Sequence, residues 1–333
     1  MKNNFIISIL ILALGLSSCR DDDDNGFDGT IPEFNFPRTT SFADSLSAYG
    51  IFDGNPADLI ASSDFELIEL NSVLFTDYAH KQRLVKVPTG AKIKNLGNGR
   101  LDFPNGSILT KTFYYWHDER DTSLGRNIVE TRLLIKEGDR WNAATYVWNK
   151  EQDEAILKND GLDRNLSWIG AEGQTKSTFY HIPSENECKA CHQYNNAMTW
   201  IGPSVANLNR DVVRQGQSQN LLSYLQAQGK LEVFDPNTER AMADYKNTST
   251  SLSERGRAYL AINCAHCHSP QAWEEPANRD FDFRYRQTYA NTGIAAGKDK
   301  IERNMVEGEM PFIGTSLKHD EGIALLIEYL NNL

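Results

Sequence analysis

Residues 188–192 read CKACH and residues 264–268 read CAHCH. Each string sets two cysteines two residues apart and follows them at once with a histidine. From this composition one such string arises by chance on the order of once in a thousand chains, so two in one chain are a designed feature. Nothing else constrains the fold as tightly, because each string must turn two thiols and an imidazole toward one object. The chain has five cysteines, and the only one outside these pairs is Cys19.

Three objects could be held this way. Zinc ribbons place their cysteine pairs roughly 15–20 residues apart, whereas Cys191 and Cys264 are separated by far more than that. A redox-active disulfide needs a thioredoxin-like βαβ setting, which the sequence lacks, and it leaves His192 and His268 without a role. Covalent haem accounts for every member. Cys188 and Cys191, and likewise Cys264 and Cys267, reach the two vinyl groups of one porphyrin edge, while His192 or His268 ligates the iron. His266, between the thioether cysteines, is expected beside the haem edge without binding iron. The expected cofactors are therefore two covalently bound haems c.

Closed electron-transfer haems carry a sixth iron ligand, commonly methionine or histidine. Met310 stands in GEMPFIG, an irregular Gly- and Pro-flanked loop downstream of His268 and ahead of a final helix, and is expected to serve the second haem, with Met305 in reserve. For the first haem Met242 in ERAMADYKN occupies the corresponding position, and Met198 and His181 are the alternatives. The helices around the second motif are legible: Ser251 and Glu254 have capping-box spacing before a run into CAHCH. Asp320 is an expected cap for a last helix with Ile323, Leu326, Ile327 and Leu330 on one face. The stretch QNLLSYLQAQGKLEVF after the first motif reads as a helix stopped at Gly229.

At the N-terminus, Lys2 precedes an apolar run from Phe5 to Leu16 that is too short to span a bilayer and suits a signal-peptide core. Leu16-Ser17-Ser18-Cys19 resembles a lipobox, which implies that Cys19 carries lipid. Arg20 and Asp21 to Asp24 then read as a solvated leash. The acidic block also resembles the tag of lipoproteins sent to the outer face of an outer membrane. The expected location is thus an outer-membrane lipoprotein facing the periplasm or the cell surface. A net charge of −11 argues against nucleic acid as a partner, since phosphate binding needs a concentrated basic surface, and favours a basic redox protein.

Before the first motif the composition changes to aromatic and β-branched runs. Residues 106–116, 127–136 and 141–149 read as strands, the last two joined by a hairpin at Glu137-Gly138-Asp139-Arg140, and a β-sandwich-like domain follows. His80 and His117 there read as surface or hydrogen-bonded residues. No phosphate loop, H-E-x-x-H or G-x-S-x-G pattern occurs.

Taken together, the chain resembles exported bacterial dihaem c-type cytochromes with a β-rich N-terminal domain. The resemblance is carried by LNSVLFTDYAHKQRLVKVPTG, LDFPNGSILTKTFYY, ETRLLIK, YVWNKEQDEA, IPSENECKACH, IGPSVANLNRD, RGRAYLAINCAHCHSP and EMPFIGTSLKHDEGIALL. It implies haem attachment at both motifs, with Met310 at the family's methionine-proline position. The expected organisation is α+β and multidomain: a leader over 1–18, an acidic tether over 19–40, the β-rich domain over 41–183, a first cytochrome c-like haem region over 184–250 and a second cytochrome c domain over 251–333. The expected function is one-electron transfer by a membrane-anchored protein in the cell envelope. A peroxidase- or oxidase-type enzyme with an open first haem, and a ligand-binding envelope lipoprotein with accessory haems, are the rivals.

Overall fold

The computed structural model describes residues 30–36, 38–272 and 280–333. The expected leader, the lipidation site Cys19 and the acidic run lie outside these residues. Ile31–Leu333 form one compact unit of mixed α+β architecture in which a strand-rich region precedes a helical one. Part of the expected tether is docked: Arg38 pairs with Glu185 at 2.7 Å, and Thr39 N–H donates to Asn142 Oδ1 at 2.9 Å.

Among the described residues the strands before the first helix are β1 Glu66–Leu67, β2 His80–Lys86, β3 Lys94–Asn95, β4 Leu101–Asp102, β5 Ile108–Trp116, β6 Arg126–Glu137, β7 Arg140–Trp148, β8 Ala155–Leu157, β9 Leu162–Ile169 and β10 Thr175–Ile182. An antiparallel sheet runs in the order β1-β2-β5-β6-β7-β8, while β9 and β10 form a separate two-stranded ribbon. Its three longest strands are the three expected from the sequence, and Gly138 with φ 58° turns the two-residue connection between β6 and β7, a conformation that costs glycine little.

One large sheet plus a ribbon thus stands where two stacked sheets were expected. The reason lies in what covers each face. Leu84, Leu133, Tyr146 and Trp148 pack against the N-terminal segment through Leu46, Ile51, Leu59 and Phe65. On the opposite face, Phe113, Tyr115 and Val147 meet Leu166, Trp168, Tyr180 and Ile182 of the β9–β10 ribbon. The remainder of that face, at Val85 and Leu109, is covered by the chain that follows the first motif, through Trp200, Val205, Leu221 and Leu231. A second complete sheet is unnecessary because later chain fills its place.

After β10 come α1 Glu185–Cys191, β11 Gln193–Tyr194, β12 Ala197–Met198, α2 Val205–Leu208, β13 Asp211–Arg214, β14 Gln217–Asn220, α3 Leu221–Ala227, α4 Leu252–Asn263, α5 Ile294–Glu307 and α6 Asp320–Asn331. The helices of 184–250 are short, and Val205 and Leu208 of α2 and Leu221, Leu222 and Leu225 of α3 share the sheet's cluster. By contrast α4, α5 and α6 form a cluster around Tyr259, Ile294, Ile301, Leu326 and Tyr329. Helices α4 and α6 cross by a reciprocal fit. A Cβ on Gly256 would lie 2.4 Å from a Tyr329 ring atom, and one on Gly322 would lie 2.3 Å from the Tyr259 hydroxyl oxygen. Only glycine at both positions lets the two tyrosines lie flat against the partner helix.

Ser251 caps α4 by accepting from Glu254 N–H, as its spacing suggests. The cap of α6 is His319, and Asp320 is the first helical residue; there its carboxylate faces the positive end of the helix dipole. Helix α5 has no counterpart in the sequence reading, because its buried residues, Ile294, Ile301 and Met305, are too sparse to make an apolar stripe.

Candidate functional site

The first motif is built at the end of a short, firmly started helix. Ser184 and Glu187 form a full capping box on α1, and Glu185 and Glu187 complement the helix dipole. Cys188 and Cys191, three apart, share one helix face, and His192 closes the helix by donating its N–H to Cys188 O at 2.9 Å. The chain then turns back through Asn195 and Asn196, whose φ values are 50° and 56°. Asparagine tolerates this left-handed conformation, and two such residues make the tight turn that joins β11 to β12. The return sets Thr199 against His192: Thr199 N–H donates to His192 O at 2.7 Å, and His192 Nδ1 lies 2.8 Å from Thr199 O. With Nδ1 donating to a carbonyl, Nε2 carries the free lone pair, the arrangement found behind imidazoles that bind metals.

The second motif caps α4. Cys264 N–H donates to Leu260 O at 2.9 Å, and Cys267 and His268 both return to Cys264 O, at 3.1 and 2.8 Å, so one turn gathers the motif. The His268 ring packs beside the stacked pair Phe281 and Phe283, with centroids 5.9 and 5.6 Å away. Among the described residues its Nδ1 is buried without a partner, an unusual state for a core histidine. Burial holds both imidazoles neutral, pushing His192 down to about 3 and His268 down to about 4, the latter also by His266 and Lys300. Neutral imidazole is the ligand form. Burial likewise pushes the thiols of Cys188 and Cys264 up to about 11 and about 12.

The two motifs come together. Cys191 and His266 share the walls of two internal spaces, and Cys267 lies near enough to push the Cys191 thiol well above its ordinary pKa. The larger of these spaces is a cavity of about 390 Å³ with Trp200 and Met242 also in its wall. On the other side of the first motif, two smaller spaces of about 60 and 70 Å³ separate Cys188 and His192 from the sheet, and both are lined by Lys111 and Arg132.

The other expected residues distribute as follows. Met242 is buried and borders the cavity at Cys191 but neither of the spaces lined by His192. Met198 is buried in β12 opposite Gln193. His181 has both ring nitrogens engaged, Nδ1 by Asp163 at 2.6 Å and Nε2 by Glu187 at 2.9 Å. Met310 packs on the cluster that also receives Cys264 and Ala265, whereas Met305 is a full member of that core. The loop after Met310 reaches the first motif too, through Pro311 and Ile313. His80 lies 3.5 Å from Glu119.

Sequence reasoning missed the charged residues on the sheet beneath the first motif. Arg83, Lys111 and Arg132 stand directly opposite one another on β2, β5 and β6. The available signal was phase: Lys111 alternates with Leu109 and Phe113, so it points into the protein with them.

The donor sets fit covalent haem at both motifs: paired thiols on one turn, followed by a buried neutral imidazole. Among the described residues no three His, Cys, Asp or Glu side chains are grouped to hold a metal ion by themselves, and the four thiols are unpaired. A structural zinc site requires four protein donors in a tetrahedron. Compared with known proteins, the chain matches no protein family, no curated protein and no solved structure.

Proposed function

We propose that the chain is a dihaem c-type cytochrome that transfers single electrons in the cell envelope, tethered to the outer membrane by lipid on Cys19. Cys188, Cys191 and His192 hold one haem, and Cys264, Cys267 and His268 the other. The observation that carries this reading is that Cys191 of the first motif and His266 of the second line the same internal spaces, since two neighbouring attachment sites suit passage of an electron from one group to the next. Bound there, haem supplies a one-electron iron couple, whose potential at the second site the soft thioether of Met310 would raise.

The chain's own residues do the rest. Thr199 O orients His192, and Phe281 and Phe283 exclude water around His268. Met242 is the first candidate for the remaining iron position, ahead of Met198 and of His181, whose nitrogens are both engaged. The acidic surface implied by a net charge of −11 would steer a basic redox partner, with an on-rate that falls as salt rises. Among the described residues no helix is long and apolar enough to cross a membrane.

A second reading, a peroxidase- or oxidase-type enzyme, is favoured by one observation: neither space lined by His192 has a methionine in its wall. Visible and electron paramagnetic resonance spectra of the purified protein, with and without carbon monoxide, separate the two. Two low-spin signals indifferent to carbon monoxide are expected for the relay; a high-spin signal that binds it would rule out a pure relay and leave the enzyme reading.

A further inference from the structure

The row Arg83, Lys111, Arg132 and Thr145 crosses β2, β5, β6 and β7 in register on one face of the sheet. Like charges directly opposite one another destabilise a sheet, and these are enclosed. Arg132 has a counter-ion, a bidentate contact to Glu130 at 2.8 and 2.5 Å. Arg83 and Lys111 have neither an ion pair nor a side-chain hydrogen bond among the described residues; Lys111 only rests over the Phe113 ring at 4.8 Å. Arg83 is 8% exposed. Lys111 is half-buried and lines both of the spaces that Cys188 and His192 line. Two enclosed cations without an anion are costly enough to require one.

Distance along the row says which anion suits it. Cys188 and Thr145 on β7 line the same space, at one end. With strands about 4.8 Å apart, Lys111 stands about 10 Å and Arg83 about 14 Å farther across the sheet. A haem c joins its cysteines along one edge and carries its two carboxylates on the opposite edge. We infer that Arg83 and Lys111 form a carboxylate-binding site that receives the propionates of the haem attached at Cys188 and Cys191. The inference rests on the haem reading above. It gives the β-rich region a function of its own, that of neutralising the cofactor's charge.

The test compares the full-length haem-loaded protein with Arg83→Met, Lys111→Met, the double variant, the charge-keeping pair Arg83→Lys and Lys111→Arg, and the exposed control Arg140→Gln. Haem per chain is counted first, and a chain without haem at the first motif overturns both readings. With two haems present, removing a cation is expected to shift the reduced-to-oxidised ratio of one haem toward oxidised by about tenfold at fixed potential, the scale of one partly screened charge contact. The double variant also gains a pH-dependent potential and altered propionate bands in resonance Raman, because the freed carboxylates titrate. The charge-keeping variants and Arg140→Gln retain the parent profile. Unchanged pH profile and Raman bands in the double variant would overturn the inference while leaving the haem reading intact. A switch to high spin in Lys111→Met would instead make Lys111 an iron ligand. Stabilisation of the parent by added inorganic phosphate, lost in the double variant, would assign the site to a soluble anion.

Discussion

Cys191, at the end of α1, and His266, one turn beyond α4, line the same two internal spaces. The two attachment strings therefore come together near their second cysteines, although one is built on the sheet and the other on a three-helix cluster. That proximity underlies the relay reading, and it makes the two sites separable by mutation at residues that are neighbours in space.

Replacing Cys188 and Cys191 together by serine is expected to remove one covalently attached haem and leave the other. Replacing Cys264 and Cys267 does the converse. Intact mass and the pyridine haemochrome count check this, and a chain that still carries two haems would sink the assignment.

The Asn195-Asn196 turn is expected to tolerate glycine and reject β-branched residues. Asn195→Val puts such a side chain at a φ of 50°, a strain of about 1–2 kcal/mol, and slackens the hold of Thr199 O on His192. Chemical denaturation should show the loss for valine and little change for Asn196→Gly.

Gly256→Ala forces a methyl into the Tyr329 ring, and overpacking of this kind costs about 1–3 kcal/mol. The double variant Gly256→Ala with Tyr329→Leu is expected to recover part of that loss. Equal instability of the single and double variants would show that the clash is not the cause.

The Asp163–His181–Glu187 group has a defined pH window. Burial alone would lower His181, but hydrogen bonds and charge from Asp163 and Glu187 outweigh it and raise the pKa above its ordinary 6.5. Burial alone would raise Glu187; hydrogen bonds from Ser184 and His181 outweigh that and lower it below its ordinary 4.5. The His181 contribution is complete below 6.5 and is lost as pH rises through the raised value. The Glu187 contribution is complete above 4.5 and is lost as pH falls through the lowered one. His181→Asn should therefore destabilise the protein in mild acid and converge on the parent at alkaline pH. A constant difference across pH would refute the linkage.

What was legible in the sequence follows from how local each signal is. The strings at 188–192 and 264–268 set two thiols and an imidazole on one turn within five residues, and the strands around Tyr115, Leu133 and Tyr146 show in composition and alternation. Helix α5 was not legible, because Ile294, Ile301 and Met305 are too few to mark a face. The second sheet of a sandwich was expected because nothing local says that Trp200 and Leu221 cover Val85 and Leu109. Lys111 was hidden for the same reason. An inward-facing lysine reads as an outward one until the register with Arg83 and Arg132 is known.

The unequal sharing of cores has a consequence for how such a chain can be cut and recombined. Trp200, Val205, Leu221 and Leu231 are completed by the sheet, so a fragment that starts at the first motif would expose them to water. The stretch holding α4, α5 and α6 supplies most of its own interior. A cut just ahead of Ser251 would therefore strip less apolar surface than one at the first motif, although it would still separate Asn263, Ser316 and Leu317 from their partners Phe75 and Asp77.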